Sequence, residues 1–138
     1  MAFYASKEEL DDIMMLLWEK IRVDQDMSSK LLASKLIVKF NYREPDGHMT
    51  VDCSDGQEMK ISVGNTETKP IVEMFMRADV AHEFWLGRVN VPVAILSGKI
   101  VSKGPTNRAL ALLPVLKPAY ALYPPIYEKI KAKSSSQA

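Results

Sequence analysis

Near the start of the chain, Leu10, Ile13, Met14, Leu17, Trp18 and Ile21 recur on one stripe at helical spacing, the pattern of a helix with one buried face. Ser6 stands three residues ahead of Glu9, the spacing of a capping box, so the helix is predicted to begin there. A second, shorter helix is predicted over 26–33, with Met27 and Leu31 as its apolar contacts and Ser28 and Ser29 weakening its propensity. The period then drops to two. Leu36, Val38, Phe40 and Tyr42 alternate with Lys35, Lys39, Asn41 and Arg43, and only Ile37 breaks the polar side, which predicts a strand with one buried face. After a turn at Glu44-Pro45-Asp46-Gly47, Met49, Val51 and Cys53 alternate with His48, Thr50, Asp52 and Ser54. Asp55-Gly56 is the dipeptide of a tight hairpin, and Met59, Ile61 and Val63 complete a three-strand meander. Beyond a polar loop at 64–70, Val72, Met74 and Met76 alternate with Glu73, Phe75 and Arg77 in a fourth strand.

From Asp79 a short helix is expected to turn Val80, Ala81, Phe84 and Trp85 inward and to stop at Gly87, a residue suited to the left-handed position after a helix. Pro92 is placed to open another short helix through Leu96, since a first turn does not need the missing donor. Gly98 and Gly104 bracket a fifth strand. Residues 106–131 keep a helical period but contain Pro114, Pro118, Pro124 and Pro125, so this segment is expected to bend or split. Residues 1–133 are predicted to form a single domain, and 134–138, Ser-Ser-Ser-Gln-Ala, a disordered tail.

A chain of 138 residues buries roughly two-thirds of its unfolded surface and folds without staples. With 18 basic and 17 acidic side chains the net charge is +1, too little for a phosphate-neutralising surface, so nucleic acid is not an expected partner. One cysteine, Cys53, and two histidines, His48 and His82, supply neither a disulfide nor a convincing metal site; no metal or cofactor is predicted. The start of the chain lacks a secretory pattern and no apolar run approaches the ~20 residues of a membrane span, so a soluble, cytoplasmic protein is expected.

One region is more specific. Asp79 leads a helix towards Trp85 and Gly87; a helical turn at 92–94 follows, then Gly98-Lys99-Ile100, Gly104, and the leucine-rich run Ala109-Leu110-Ala111-Leu112-Leu113. Together with the order of elements over about 8–116, this pattern resembles the sterol carrier protein-2 (SCP-2) family. The resemblance implies a stand-alone α+β domain: a five-stranded, mostly antiparallel sheet, a three-strand meander plus crossover strands, covered by helices. It also implies an apolar tunnel between sheet and helices for a sterol, a fatty acid or a fatty acyl-CoA, and hence non-enzymatic lipid binding and transfer.

The residues point the same way. Met74, Met76, Phe84, Trp85, Ile95, Leu112, Leu113, Leu116, Tyr120 and Tyr123 are the expected cavity residues. Many of them sit on short or proline-broken segments, which pack less regularly than long helices, and methionine adapts to varied ligands. Core filling is the plainer explanation of the methionines Met14, Met59, Met74 and Met76. The series Leu116, Tyr120, Tyr123 and Tyr127 is expected to form a proline-hinged lid or, failing that, a homodimer contact. A large empty void would rival the stability of so small a domain, so the empty protein is expected to be collapsed or mobile near its C-terminus.

Reactive chemistry is not expected. His82-Glu83 would need a histidine at position 86 to make a zinc-protease helix, and that residue is Leu86. Asp79, His82 and Glu83 share a helical face as a conceivable acid and base, but Asp79 is equally placed as an N-cap. Lys103 precedes Gly104, the reverse of a phosphate loop, and Cys53 lies on an apolar face where a thiol without a base is inert. Lys129, Lys131 and Lys133 are expected to form a solvated tail, with contact to an anionic membrane surface or the phosphates of coenzyme A as the alternative. The chain ends Ser-Gln-Ala where peroxisomal members of the family end in Ser-Lys-Leu. The alternatives to a carrier are a small enzyme or accessory domain acting on a cavity-bound thioester or steroid, and a dimerising scaffold without ligand.

Overall fold

The computed structural model describes residues 3–136, and their side chains through residue 133. Helix α1 (Lys7–Val23) starts at Ser6, whose hydroxyl accepts the Glu9 N–H. The Glu9 carboxylate takes the N–H of Ala5, so the reciprocal half of the box is shifted one residue back. Asp24 closes α1 and, through its carboxylate, accepts the Met27 N–H to cap α2 (Gln25–Ser34). In α2 the hydroxyls of Ser29 and Ser34 donate back to Asp26 and Leu31 carbonyls, which accommodates serine in a helix.

Strands β1 (Ile37–Arg43), β2 (Gly47–Asp52), β3 (Lys60–Val63), β4 (Val72–Arg77) and β5 (Ile100–Lys103) form one sheet in the order β3-β2-β1-β4-β5. The β1–β4 pair is parallel and the remaining pairs are antiparallel. The chain therefore crosses from the β3 edge over β2 and β1 before entering β4. Register decides which side chains share a face: Phe40 lies opposite both Met49 and Met74, while Lys39, Thr50 and Glu73 line up on the other face. Asp55-Gly56 does not make the expected tight hairpin. It sits in the longer 53–59 connection, where the Asp55 carboxylate accepts the N–H groups of Gln57 and Glu58.

Helix α3 (Ala78–Trp85) springs directly from β4 with Arg77 as N-cap and no side-chain cap. Asp79 is thus inside the first turn rather than at the cap, and its carboxylate accepts the N–H of Phe3. Asn90 caps α4 (Val91–Leu96). Two glycines are required by geometry: at Gly87, with φ +77°, an added Cβ would touch the Tyr120 ring, and at Gly104, with φ +100°, it would stand 2.2 Å from the Ile71 carbonyl oxygen.

The C-terminal third splits at two of its four proline positions. Pro114 lies in the first turn of α6 (Leu113–Leu116), which follows α5 (Thr106–Leu110), and Pro118 immediately precedes α7 (Ala119–Ser136). Pro124 and Pro125 do not break α7. They face solvent while Tyr123 and Ile126 on either side are buried, so the carbonyls they leave unbonded can reach water and packing holds the helix. Residues 134–136, expected in a disordered tail, continue α7; 137–138 lie outside the described residues. Helix α7 packs along α1, α1 on β2 and β3, and α3 on β1 and β4. Leu10, Ile13, Leu17 and Ile21 are fully buried in the resulting core.

Candidate ligand-binding site

Between the sheet and its helices lies a cavity of about 90 Å³. The sheet supplies Val38, Phe40 and Tyr42 from β1, Val51 from β2, Met74 and Met76 from β4 and Ile100 from β5, with Leu36 and Cys53 at the strand ends. The helices close it with Trp18 of α1, Leu31 and Ser34 of α2, Ala81, Phe84 and Trp85 of α3, and Val91 of α4. Ala109, Leu110, Leu112, Leu113 and Leu116 come from α5, α6 and the joint between them. The short helices α5 and α6 lack side-chain caps; Arg108 of α5 donates to Ser34 O, Thr106 shares a hydrogen bond with Ser102 of β5, and leucines supply the face towards the cavity.

Seven of the ten expected residues meet here: Met74, Met76, Phe84, Trp85, Leu112, Leu113 and Leu116. Ile95 packs against the core from α4 without lining the cavity. Tyr120 stands behind the wall, edge-on to Phe84 and Trp85. Tyr123 belongs to another cluster, described below. Sequence reasoning missed the β1 residues and Trp18 as cavity residues. Their apolar alternation was visible, but nothing local shows that β1 lies beside β4, which puts Phe40 and Met74 on one face.

Among the described residues, no Asp, Glu, Lys, Arg or His lines the cavity. Burial pushes the Cys53 thiol up to about 11, with Asp52 and Asp55 adding to the effect. The Ser34 hydroxyl donates to Leu31 O. Trp18 Nε1 is buried without a hydrogen-bond partner among the described residues.

On the far side of α3, His82, only 5% exposed, stacks on Phe3 and meets Tyr4, Tyr123 and Tyr127 at their edges or tilted. His82 Nδ1 and Tyr123 Oη are 2.7 Å apart, and Tyr123 shares a second hydrogen bond with the Tyr4 hydroxyl. The hydrogens balance if Tyr4 donates to Tyr123 and Tyr123 to a neutral imidazole. Burial lowers the His82 pKa, while the Tyr4 and Tyr123 hydroxyls are raised, burial being the largest cause for both. Tyr127 Oη donates to Phe3 O, and Lys131 Nζ lies 2.8 Å from the buried Glu9 carboxylate.

Asp79, His82 and Glu83 therefore do not converge: Asp79 holds Phe3, His82 faces the tyrosines and Glu83 pairs with Arg88 at 3.5 Å. Lys131, expected at a surface, is engaged by Glu9. No group of three or more His, Cys, Asp or Glu side chains is placed for a metal among the described residues. No single helix among them is long and apolar enough to cross a membrane; the apolar stretch from α5 to α7 bends by 77°, and Leu110, Leu112, Leu113 and Leu116 within it line the cavity.

No protein-family model matches the chain, and no curated protein matches it. Solved structures do. The sterol carrier protein domain 2 of Helicoverpa armigera superposes with a TM-score of 0.65 at 21% identity, over 82% of this chain and 89% of that one. Sterol carrier protein 2 of Yarrowia lipolytica in its apo form gives 0.62 at 18% identity, over 87% and 95%. A stereoselective inverting sec-alkylsulfatase from Pseudomonas gives 0.56 at 14% identity, covering 68% of this chain and 14% of that one. The chain thus has the SCP-2-like α+β fold expected from its sequence.

Proposed function

We propose that this protein is a carrier that shelters a lipid-like molecule in the cavity between sheet and helices, making and breaking no bond. The observation that carries this is the lining itself, apolar on the sheet side and the helix side, in a fold shared with two sterol carrier domains. The ligand is a sterol, a fatty acid or a fatty acyl-CoA in this proposal. At about 90 Å³ an unfilled cavity costs on the order of 2 kcal/mol, which a domain tolerates. It is smaller than the roughly 150 Å³ engineered cavity that admits benzene, so a sterol or long acyl chain enters only if a wall moves. The uncapped α5–α6 segment is that wall, and each methylene buried behind it contributes about 0.8 kcal/mol. The high Cys53 pKa and the separate commitments of Asp79, His82 and Glu83 support binding without catalysis. Transient contact with a membrane, a cytoplasmic setting and a homodimer belong to the same proposal.

A second reading, an accessory domain within or beside an enzyme, is favoured by the sulfatase chain that contains the fold. Native mass spectrometry of the purified protein, followed by organic extraction, separates the two. A stoichiometric lipid, with binding retained in Asp79→Ala and Glu83→Ala, is expected of the carrier. A bare mass unstabilised by fatty acids, acyl-CoAs and sterols would sink it.

A further inference from the structure

Between Glu83 and Glu128 the chain holds no acidic residue, yet it carries Arg88, Lys99, Lys103, Arg108 and Lys117. Those five leave 13 basic and 17 acidic side chains for the rest of the chain, so a basic segment is balanced by an acidic remainder. Arg88 pairs with Glu83 at 3.5 Å, Arg108 donates to Ser34 O, and Lys103 has Glu73 across the strand pair. Lys99 makes no ion pair among the described residues. The same segment exposes apolar side chains. Of the large ones exposed among the described residues, Val23, Ile71, Val93, Leu96 and Val101, three fall within it. Leu96 is 88% and Val93 56% exposed; three residues apart on α4, they share its outward face, while Ala94 is buried and Val91 lines the cavity. An open cleft between α3 and α4 brings Arg88, Val93 and Lys99 together; Asp79 and Glu83 on its α3 side are engaged by the Phe3 N–H and by Arg88.

We propose that α4 is the surface through which this protein meets an anionic lipid bilayer: Val93 and Leu96 enter the boundary between headgroups and acyl chains, and Lys99 with Arg88 lies against lipid phosphates. Exposed aliphatics beside cations match that boundary, apolar on one side and anionic on the other. A second copy of this chain fits less well, because a symmetric contact through α4 would set Lys99 against its own counterpart. The C-terminal lysines fit less well too, since Lys131 is held by Glu9. The inference rests on the carrier reading and names where its membrane contact lies. Helix α4 borders the cavity through Val91, so the bilayer is met at the cavity's own wall.

The test uses the full chain and sucrose-loaded vesicles of pure phosphatidylcholine, or with phosphatidylserine as roughly a third of the lipid. Co-sedimentation is expected with the anionic vesicles, weakening as salt is added, and with little on the neutral ones. Leu96→Ser should weaken it about tenfold and Lys99→Ala about fivefold. Urea midpoints should not move, because both side chains are exposed. Lys129→Ala should leave vesicle binding as it is. A solvatochromic dye on Leu96→Cys, with Cys53 buried, should shift to the blue on the anionic vesicles. No binding to either vesicle, or binding that Leu96→Ser and Lys99→Ala leave unchanged, overturns the inference. So does a dimer in sedimentation that Leu96→Ser dissociates while vesicle binding stays. The carrier reading fails separately, when native mass spectrometry finds no lipid bound and none that binds on addition, whatever the vesicles show.

Discussion

Around His82, aromatic side chains with polar tips interlock through hydrogen bonds and ring edges, whereas around Met74 leucines and aromatics of similar bulk leave a cavity. The first region joins the N-terminal segment, α1, α3 and the long helix α7, and Tyr123 at its centre is fully buried. The second is closed by two short helices whose leucines have no partner of fixed geometry. The difference teaches that bulk and hydrophobicity do not by themselves set packing density. A tyrosine with a donor and an acceptor to satisfy is held in one position, while a leucine on a short, uncapped helix settles wherever the surface is apolar.

Truncation of Tyr123 should break the comparison most severely. Tyr123→Ala is expected to cost about 3–5 kcal/mol, the range for buried aromatics, read as a lower urea midpoint with little change in slope. A loss below that of a cavity leucine would mean the His82 cluster does not anchor α7. Next in size is the gain on filling the cavity. 1-Decanol at a hundred times its Kd should stabilise the wild type by about 2.7 kcal/mol, in calorimetry or thermal melts, and the gain should shrink in Leu113→Ala.

Without ligand, Leu113→Ala should cost roughly 1 kcal/mol, because that side chain is only half-buried and its neighbours can close over the gap. It should also speed reaction of Cys53 with a thiol reagent. In the wild type that reaction is slow, since the thiol is buried and its pKa is near 11; equal rates would show that α6 is not the cover.

The smallest effect is one of pH. Burial holds the His82 pKa below its ordinary value, so the unfolded chain takes up the proton first. The stability from a neutral His82 is complete above about pH 6.5, declines as pH falls below that, and levels off beneath the folded-state pKa. The melting temperature of the wild type should drop more steeply through this window than that of His82→Phe. Parallel curves would place no titration at this residue.

Much of this was legible locally. The period-two runs at 36–42, 49–53 and 72–76 became β1, β2 and β4, the Ser6 and Glu9 pair marks the start of α1, and the glycine brackets at 98 and 104 enclose β5. Leu112, Leu113 and Leu116 were named from the sequence and lie at the cavity, whereas Leu110 of α5 was not among the expected residues and lines it too. Tyr123 and Tyr120 were not distinguishable from them by type. Tyr123 is drawn away by hydrogen bonds to Tyr4 and His82, far along the chain, and Tyr120 by the space over Gly87.

The amino-acid order by itself determined where most strands and helices run and which face of each is apolar, because these follow from backbone sterics and short-range periodicity. The tertiary structure alone decided that β1 lies parallel beside β4, that α7 continues through Pro124 and Pro125, and that the Trp18 indole N–H of α1 is buried without a partner among the described residues. Those outcomes depend on contacts between residues distant in sequence, whose energies emerge only when the elements compete for the same buried surface.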